Sequence, residues 1–267
     1  MPGASPPLPD TRADRGRRRI AHWALPVAVC ALTGCPNPNL YTVPRTLDPG
    51  DLQLGVAGEV YGFTTKLTTP ATGTTPPSTQ TAFGATPMLP SVAARYGLAE
   101  GLDVGVRLEN FLSLGGDLKI RLLRGTVDLA ADPGTELMYL SVTTTNPNGS
   151  RAADTAGVFY LHGPLLVGIN LSDIVSLVAS PGVAYAIATN AVPVATHAEQ
   201  AGDSTELLAR LGLGADFRLT RHFAVHPEVT CMKGFTSTET LICVGGVALI
   251  SGAQPDYSDL APPGSER

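Results

Sequence analysis

The sequence predicts an all-β protein, an antiparallel up-and-down β-barrel of about ten strands, with eight or twelve strands as alternatives. Apolar and polar residues alternate with a period of two over most of 51–251. The chain also contains 29 glycines and 23 prolines, which favours many turns. Finally, long and short connections between the predicted strands lie on opposite ends of the sheet, as an up-and-down barrel allows.

Composition narrows the class of protein further. Charged residues make up 15% of the chain and hydrophobic residues 43%, which favours a folded protein over a disordered one. The net charge of −5 gives no reason to expect nucleic acid as a partner. No run of 18 or more apolar residues follows the N-terminal region, so we expect no transmembrane helix in the mature chain.

The N-terminus has the order of a secretory signal. A cluster of arginines at 15–19 precedes an apolar segment at 20–32, and Leu32-Thr33-Gly34-Cys35 follows. This tetrapeptide resembles the lipobox of bacterial lipoproteins, which implies cleavage before Cys35 and diacylation of its sulfur. Pro36 after the cysteine, by resemblance to enteric sorting rules, favours the outer membrane. The alternative is an ordinary signal peptide with a coincidental cysteine.

Removal of the predicted signal peptide, residues 1–34, leaves 13 basic and 21 acidic residues, a net charge of −8. Residues 35–50 are rich in Pro and Asn and are predicted to be a tether that needs no fold of its own. The first strand is predicted at 51–63. The Thr/Pro/Gly tract at 64–88 is predicted to be a long exposed loop.

The second and third strands are predicted at 89–98 and 102–114, around a short turn. The third strand has the clearest alternation of the chain, with apolar residues opposite Asp103, Arg107 and Glu109. Gly115-Gly116 is predicted to form a tight turn.

A fourth strand follows at 117–123. If the next turn were only three residues long, Lys119 and Arg121 would face outward, so a longer turn at 122–127 is expected. A fifth strand at 127–142 is interrupted by Pro133-Gly134, which predicts a bulge or bend. Residues 143–155 are predicted to be a polar loop.

Two further strands are predicted at 156–171 and 175–187, joined by a short turn, and a third exposed loop at 188–204. The stretch 206–232 then predicts a hairpin whose turn lies at 220–222, on the periplasmic rim. The last strand of the barrel domain, which covers 51–251, is predicted at 238–251. Residues 252–267 are predicted to be a polar tail.

Stretches such as YGLAEGLDVGVRLE and DFRLTRHFAVHPEVT resemble the turn-centred hairpins of bacterial outer-membrane β-barrel proteins. The resemblance covers most of 51–251 as a pattern, and it implies lipid-facing and lumen-facing residues in alternation. It implies membrane lipid as the partner, an outer-membrane location with the lipid at Cys35, and a structural or narrow-pore role. The alternative is a lipid-tethered soluble barrel that binds a ligand in its interior.

The phase of the alternation predicts which residues line the lumen. In the 206–232 hairpin the apolar residues from Leu211 to Val225 are expected outside. Charges of both signs are expected inside, so mutual ion pairs are favoured over an open pore. The predicted inward residues are Glu59, Arg95, Arg107, Glu109, Lys119, Arg121, Asp128, Arg210, Asp216, Arg218, His226 and Glu228.

No enzyme, cofactor or metal site is indicated, and no catalytic residue is nominated. His222 and His226 have a spacing that chelates a metal on a helix, but on a strand they lie roughly 13 Å apart. Cys231 and Cys243 fall nearly opposite each other in the last hairpin. A disulfide between them is open, because an exported protein can oxidise the pair whereas a cross-strand bridge is geometrically demanding.

Overall fold

The computed structural model describes residues 37–69, 78–109, 112–145, 151–189, 204–235 and 240–260. Twelve strands lie in these ranges: β1 Leu52–Thr69, β2 Ser78–Pro87, β3 Ser91–Ala99, β4 Leu102–Glu109, β5 Ser113–Leu123, β6 Val127–Ala131, β7 Gly134–Thr145, β8 Arg151–Asn170, β9 Val175–Thr189, β10 Ser204–Thr220, β11 Phe223–Gly234 and β12 Thr240–Gly252. A 3-10 helix at Ser258–Leu260 follows.

The strands form one antiparallel sheet that closes on itself. β12 pairs with β1 from Gln53 opposite Gly252 to Thr65 opposite Thr240, so neither strand is left as an edge. β2 and β3 share one position in the wall, because they pair with successive parts of β1. β6 and β7 share another between β5 and β8. The predicted all-β barrel of ten strands is confirmed, with two positions each built from two strands.

Four tight connections lie at one end of the barrel, here called the short-turn rim. They join β3 to β4, β5 to β6, β8 to β9 and β10 to β11. β1 begins and β12 ends at this rim, as an even number of wall positions requires. The break predicted at Pro133-Gly134 is also present, since β6 ends at Ala131 and β7 begins at Gly134.

Two predicted loops are wrong in the described residues. β1 continues to Thr69 and pairs with β2 within the tract at 64–88, and β7 and β8 extend into 143–155 as a paired hairpin. These extensions are rich in threonine, which favours strands although it carries no apolar alternation. The expectation of a loop treated polar composition as evidence against a strand.

Two predicted turns are also wrong. Gly115-Gly116 lies inside β5, where both glycines pair with β4 and β7. A register shift between Arg121 and Leu123 accompanies the short connection at 124–126, where the sequence predicted a longer turn at 122–127. Bulges of this kind change the register without lengthening the connection.

The wall is apolar outside and polar inside. Among the described residues, 36 large hydrophobic side chains are exposed, and the buried wall residues include many Asp, Glu and Arg. The inward and outward assignment of the 206–232 hairpin is confirmed: Leu213 is 53% exposed, whereas Asp216 is 3% exposed. Within the described ranges, no helix is long and apolar enough to cross a bilayer.

Two described segments outside the strands, one before β1 and one after β12, close the barrel. Residues 37–47, here called the plug, are almost entirely buried and run through the lumen to the short-turn rim. Residues 253–260, here called the cap, lie across that rim, with Tyr257 5% exposed. The plug was expected to be part of a free tether and the cap part of a polar tail. In a free tether, water forms the hydrogen bonds of the main chain. Here side chains of the barrel wall form hydrogen bonds with the main chain of the plug.

Candidate functional site: a closed, charged lumen

Carboxylates of the wall accept hydrogen bonds from the main chain of the plug. The Asn37 N–H donates to Glu109 Oε2 at 3.2 Å, and the Leu47 N–H donates to Asp103 Oδ2 at 3.1 Å. Glu228 accepts two, from the Leu40 N–H at 3.1 Å and from the Tyr41 N–H at 2.6 Å. Buried N–H groups need such partners, so these three carboxylates hold the plug along its length.

Cations of the wall donate hydrogen bonds to carbonyl groups of the plug. Arg210 Nη2 donates to the Pro38 carbonyl oxygen at 2.6 Å, and Arg107 Nη1 donates to that of Asn39 at 2.7 Å. Lys119 Nζ donates to the Val43 carbonyl oxygen at 3.0 Å and to Thr42 Oγ1 at 3.1 Å. The wall therefore uses both signs of charge to bind the main chain of the plug.

Side chains of the plug add a second set of contacts. The Asn37 amide and the Tyr41 hydroxyl both donate to Glu59, the latter at 2.7 Å. Leu40 packs against Ala130 and Leu166. A Cβ at Gly246 would lie 2.3 Å from the Tyr41 hydroxyl. Tyr41 therefore fits the lumen because its neighbour in the wall has no side chain.

Arg45 connects the plug to the cap. Its Nε donates to Asp128 Oδ2 at 2.7 Å, and its Nη1 donates to Asp259 Oδ1 at 2.6 Å. The Arg45 guanidinium also lies 4.1 Å from the centre of the Tyr257 ring, and that of Arg218 lies 3.6 Å from it. Two cation–π contacts and an ion pair thus fix the cap over the rim.

The acidic residues of the cap favour their charged forms. Partial burial opposes ionisation of Asp256, but the Ser258 N–H and the Arg124 guanidinium outweigh it and hold the pKa of Asp256 below its ordinary value. For Asp259 burial is likewise outweighed, here by Arg45 and Arg124, and its pKa is lowered. Both carboxylates are therefore ionised near neutral pH, which keeps the cap bound.

Further ion pairs join wall residues of β3, β4 and β5 to one another. Arg95 contacts both Asp103 and Asp117, and Lys119 Nζ lies 3.2 Å from Asp103 Oδ2. A Cβ at Gly105 would lie 2.7 Å from the Asp117 carboxylate and 2.8 Å from Arg95 Nη2. The glycine in the strand makes room for long charged neighbours that face inward.

The structure brings most of the residues predicted to line the lumen together. Buried in the lumen are Glu59, Arg95, Arg107, Glu109, Lys119, Asp128, Arg210, Asp216, Arg218, His226 and Glu228. Arg121 is the exception: its Nη2 lies 2.9 Å from Glu100 Oε1 at the short-turn rim, and the Glu100 side chain is 84% exposed. Arg121 therefore belongs to the rim.

Four buried carboxylates and the plug were not among the predicted lumen residues. Asp103 follows a turn directly, whereas Asp117, Asp132 and Glu136 stood next to the glycines and proline that suggested turns or bends. Asp103, Asp117 and Glu136 have the inward phase of β4, β5 and β7, and Asp132 is buried in the break between β6 and β7. The register of β5 and β7, which only the strand pairing establishes, would have identified Asp117 and Glu136.

The remaining candidates are placed as follows. His226 is buried with its Nδ1 3.4 Å from Asp216 Oδ1, and His222 is exposed in the turn. Among the described residues no group of three or more His, Cys, Asp or Glu side chains could hold a metal ion. Cys231 and Cys243 form a disulfide between β11 and β12. Cys35 lies outside the described residues.

Two small cavities border the plug. One of about 50 Å³ lies between Tyr41 and Arg95, and one of about 20 Å³ lies beside Arg210. A cavity of roughly 10–15 Å³ measured in this way admits one water molecule. A few waters fit beside the plug, and the lumen is closed to larger solutes in this state.

Three solved outer-membrane proteins illustrate the structural neighbours of this chain. The attachment invasion locus protein Ail of Yersinia pestis has 7% identity and a TM-score of 0.37, and the match covers 76% of this chain and 98% of Ail. The translocator domain of NalP from Neisseria meningitidis has 12% identity and a TM-score of 0.43, with coverage of 90% and 97%.

An outer membrane channel from Pseudomonas putida F1 has 9% identity and a TM-score of 0.38, with coverage of 82% of this chain and 100% of the channel. No protein-family model matches the sequence, and neither does any curated protein. The structural neighbours are bacterial outer-membrane β-barrels, and similarities this weak carry no argument about function.

Proposed function

We propose that this chain is an outer-membrane β-barrel that spans the bilayer, is lipid-anchored at Cys35 and has a structural, non-enzymatic role with its lumen closed. The observation that carries the proposal is the distribution of side chains across the wall. Water-soluble barrels bury apolar side chains, but this wall buries charges and exposes leucines, valines and aromatic residues on its outer face. A bilayer is the solvent that suits such a surface.

The positions of the exposed charges support the same proposal. Exposed Glu100 and Arg221 lie in turns of the short-turn rim, and exposed Lys233 lies near the far end of β11. Between these ends the outward face of β10 presents Leu211 and Leu213, each at least 50% exposed. An apolar band bordered by charged ends is the pattern of a transmembrane barrel.

Fractionation of the Cys35→Ala variant tests the spanning part of the proposal. A barrel held by its wall stays in the outer membrane without the lipid and shows heat-modifiable migration on a gel. If the variant appears in the soluble fraction instead, the chain is a lipid-tethered soluble barrel, and the alternative of ligand binding in its interior replaces the proposal.

The lipid anchor has a separate test. Cells that express the wild-type chain are grown with a labelled fatty acid, and incorporation into the protein is measured. We expect label in the wild type and none in Cys35→Ala. Unlabelled wild-type protein would contradict the anchor and leave the spanning barrel unaffected.

A further inference from the structure

We propose that residues 37–47 are a displaceable plug that closes a narrow, cation-selective pore. This inference rests on the proposed function, because a pore requires that the barrel span the bilayer. It adds to that function a permeant class, small cations, and a means of regulation, the occupancy of the lumen by the chain's own N-terminal segment.

The first support is that the plug is bound as a ligand and is not part of the wall. Residues 37–47 belong to no strand, and their main chain is held by side chains of Asp103, Glu109 and Glu228. Those side chains are charged, so water can solvate each of them when the plug leaves. Strand pairing closes the sheet from β1 to β12 independently of the plug.

The second support is the space that the plug occupies. Its two ends contact Asp103 and Glu109 at opposite ends of β4, a distance of about 20 Å along the strand. A single chain takes up a width of at least roughly 5 Å, the spacing of adjacent strands. Departure of the plug would therefore leave a continuous narrow channel in the lumen.

The third support is the charge of the wall. Among the described residues the buried wall carries nine carboxylates and five cations. The carboxylates are Glu59, Asp103, Glu109, Asp117, Asp128, Asp132, Glu136, Asp216 and Glu228, and the cations are Arg95, Arg107, Lys119, Arg210 and Arg218. An aqueous lumen with this excess of negative charge concentrates small cations and repels anions.

The cap must also move for ions to pass. Arg45 of the plug forms an ion pair with Asp259 of the cap. The guanidinium groups of Arg45 and Arg218 each contact the ring of Tyr257. Loss of the plug therefore removes Arg45 from the cap, which is then held by Arg218 and by the partly exposed pairs of Arg124. Such exposed pairs are weak.

In the main test, a protease cuts the folded full-length chain between the plug and β1. A protease recognition sequence is inserted after Asp48, which is exposed at the rim, and the protein is refolded, cut and washed in mild denaturant to release the plug. We expect potassium conductance in planar bilayers after release, with a reversal potential that shows cation selectivity. The same preparation with Tyr257→Ala removes the cap contact as well.

The peptide NPNLYTVPRTL, which is the plug sequence, is then added to the open barrel. We expect this peptide to close the conductance, whereas a scrambled peptide of the same composition leaves it open. Closure by the native peptide alone would show that the lumen recognises this segment and not merely any chain that enters it.

A second variant avoids any cut. A Cβ at Gly168 would lie 3.0 Å from Pro44 Cγ, whereas Gly163 on the same strand has nothing within 4 Å. Gly168→Val in the full chain should displace the plug and raise the open fraction about tenfold or more. Gly163→Val, the matched control, should behave as the wild type.

Three outcomes overturn the inference. They are a plug-free barrel that migrates as folded but does not conduct, also with Tyr257→Ala; a conductance that favours anions; and equal conductance of the cut and uncut chains. In each of these cases the barrel still enters the bilayer, so the proposed function stands. A chain that does not enter the bilayer contradicts both.

Discussion

At the scale of single residues, Glu228 binds two consecutive main-chain groups of the plug. Its carboxylate accepts the N–H groups of Leu40 and Tyr41 and the Thr230 hydroxyl. Glu228→Gln replaces the charged acceptor of the Leu40 and Tyr41 N–H groups by a neutral amide oxygen, and hydrogen bonds to a charged group are the stronger ones. We expect the free energy of unfolding to fall by about 1–3 kcal/mol, measured by denaturant titration.

The control for this variant is Glu100→Gln at the rim. Glu100 pairs with Arg121 and its side chain is 84% exposed, so the loss of the pair should change the free energy of unfolding by about 0–1 kcal/mol. Equal stability of Glu228→Gln and Glu100→Gln would contradict the role of Glu228 in holding the plug.

Tyr257 acts through its ring. The Arg45 and Arg218 guanidinium groups contact the ring, and within the described part of the chain the hydroxyl has no hydrogen-bond partner. Tyr257→Phe should therefore keep the cap bound, whereas Tyr257→Ala should release it. Hydrogen exchange of the amides at 253–260 measures both, and rapid exchange in Tyr257→Phe would show that the hydroxyl is needed.

The alternation of apolar and polar residues identified most lumen residues. Successive side chains of a strand point to opposite faces of the sheet, so the position of a strand in the sequence determines which of its residues face the lumen. The prediction failed where its strand assignment failed. Asp117 was missed because Gly115-Gly116 predicted a hairpin turn. Arg121 has the inward phase of β5, but it lies near the end of that strand, where its guanidinium pairs with the exposed Glu100 of the rim. Single-strand patterns contain no information about such pairings, which depend on the neighbouring strand.

At the scale of elements, the strands of the apolar band were predictable and the chain ends were not. Strands that contribute to the apolar band alternate apolar outward residues with polar inward residues, so β4 and β10 are evident from the sequence. The plug has no such pattern, since its partners lie up to 188 residues away in β11. Its proline and asparagine content indicated a segment without regular structure, which is correct, but it did not indicate where that segment lies.

The cap is sensitive to pH through its two carboxylates. The pKa values of Asp256 and Asp259 are lowered in the folded chain, so their contribution to binding is complete above the ordinary Asp value of about 3.9. It is lost as the pH falls through the lowered values. We therefore expect the cap to detach in acid, at a pH below about 4.

A spin label at position 260 measures this detachment. The label is attached to Leu260→Cys in a chain that also carries Cys30→Ala and Cys35→Ala, and its mobility is followed by electron paramagnetic resonance. It should be immobile at neutral pH and mobile in acid. With Asp256→Asn and Asp259→Asn the label should be more mobile already at neutral pH, and a pH profile unchanged by these substitutions would exclude the two carboxylates as the cause.

At the scale of the whole molecule, the barrel is organised around the contrast between its two faces. The charged lumen needs partners for its buried groups, and the plug and the ion pairs supply them. The apolar outer face needs a solvent that is not water. These two requirements are independent, so a substitution on the outer face tests the membrane without disturbing the lumen.

Leu213 and Leu219 on β10 provide that test. Both face outward, at 53% and 62% exposure, but Leu213 lies well inside the strand and Leu219 lies one residue from its end at the short-turn rim. If the barrel spans a bilayer, Leu213→Arg should cost about 2–4 kcal/mol of folding free energy in lipid and Leu219→Arg about 0–1 kcal/mol. Denaturant titration in lipid vesicles measures both. In a water-soluble barrel an arginine would be tolerated equally at these two exposed sites, so equal costs would argue against membrane insertion.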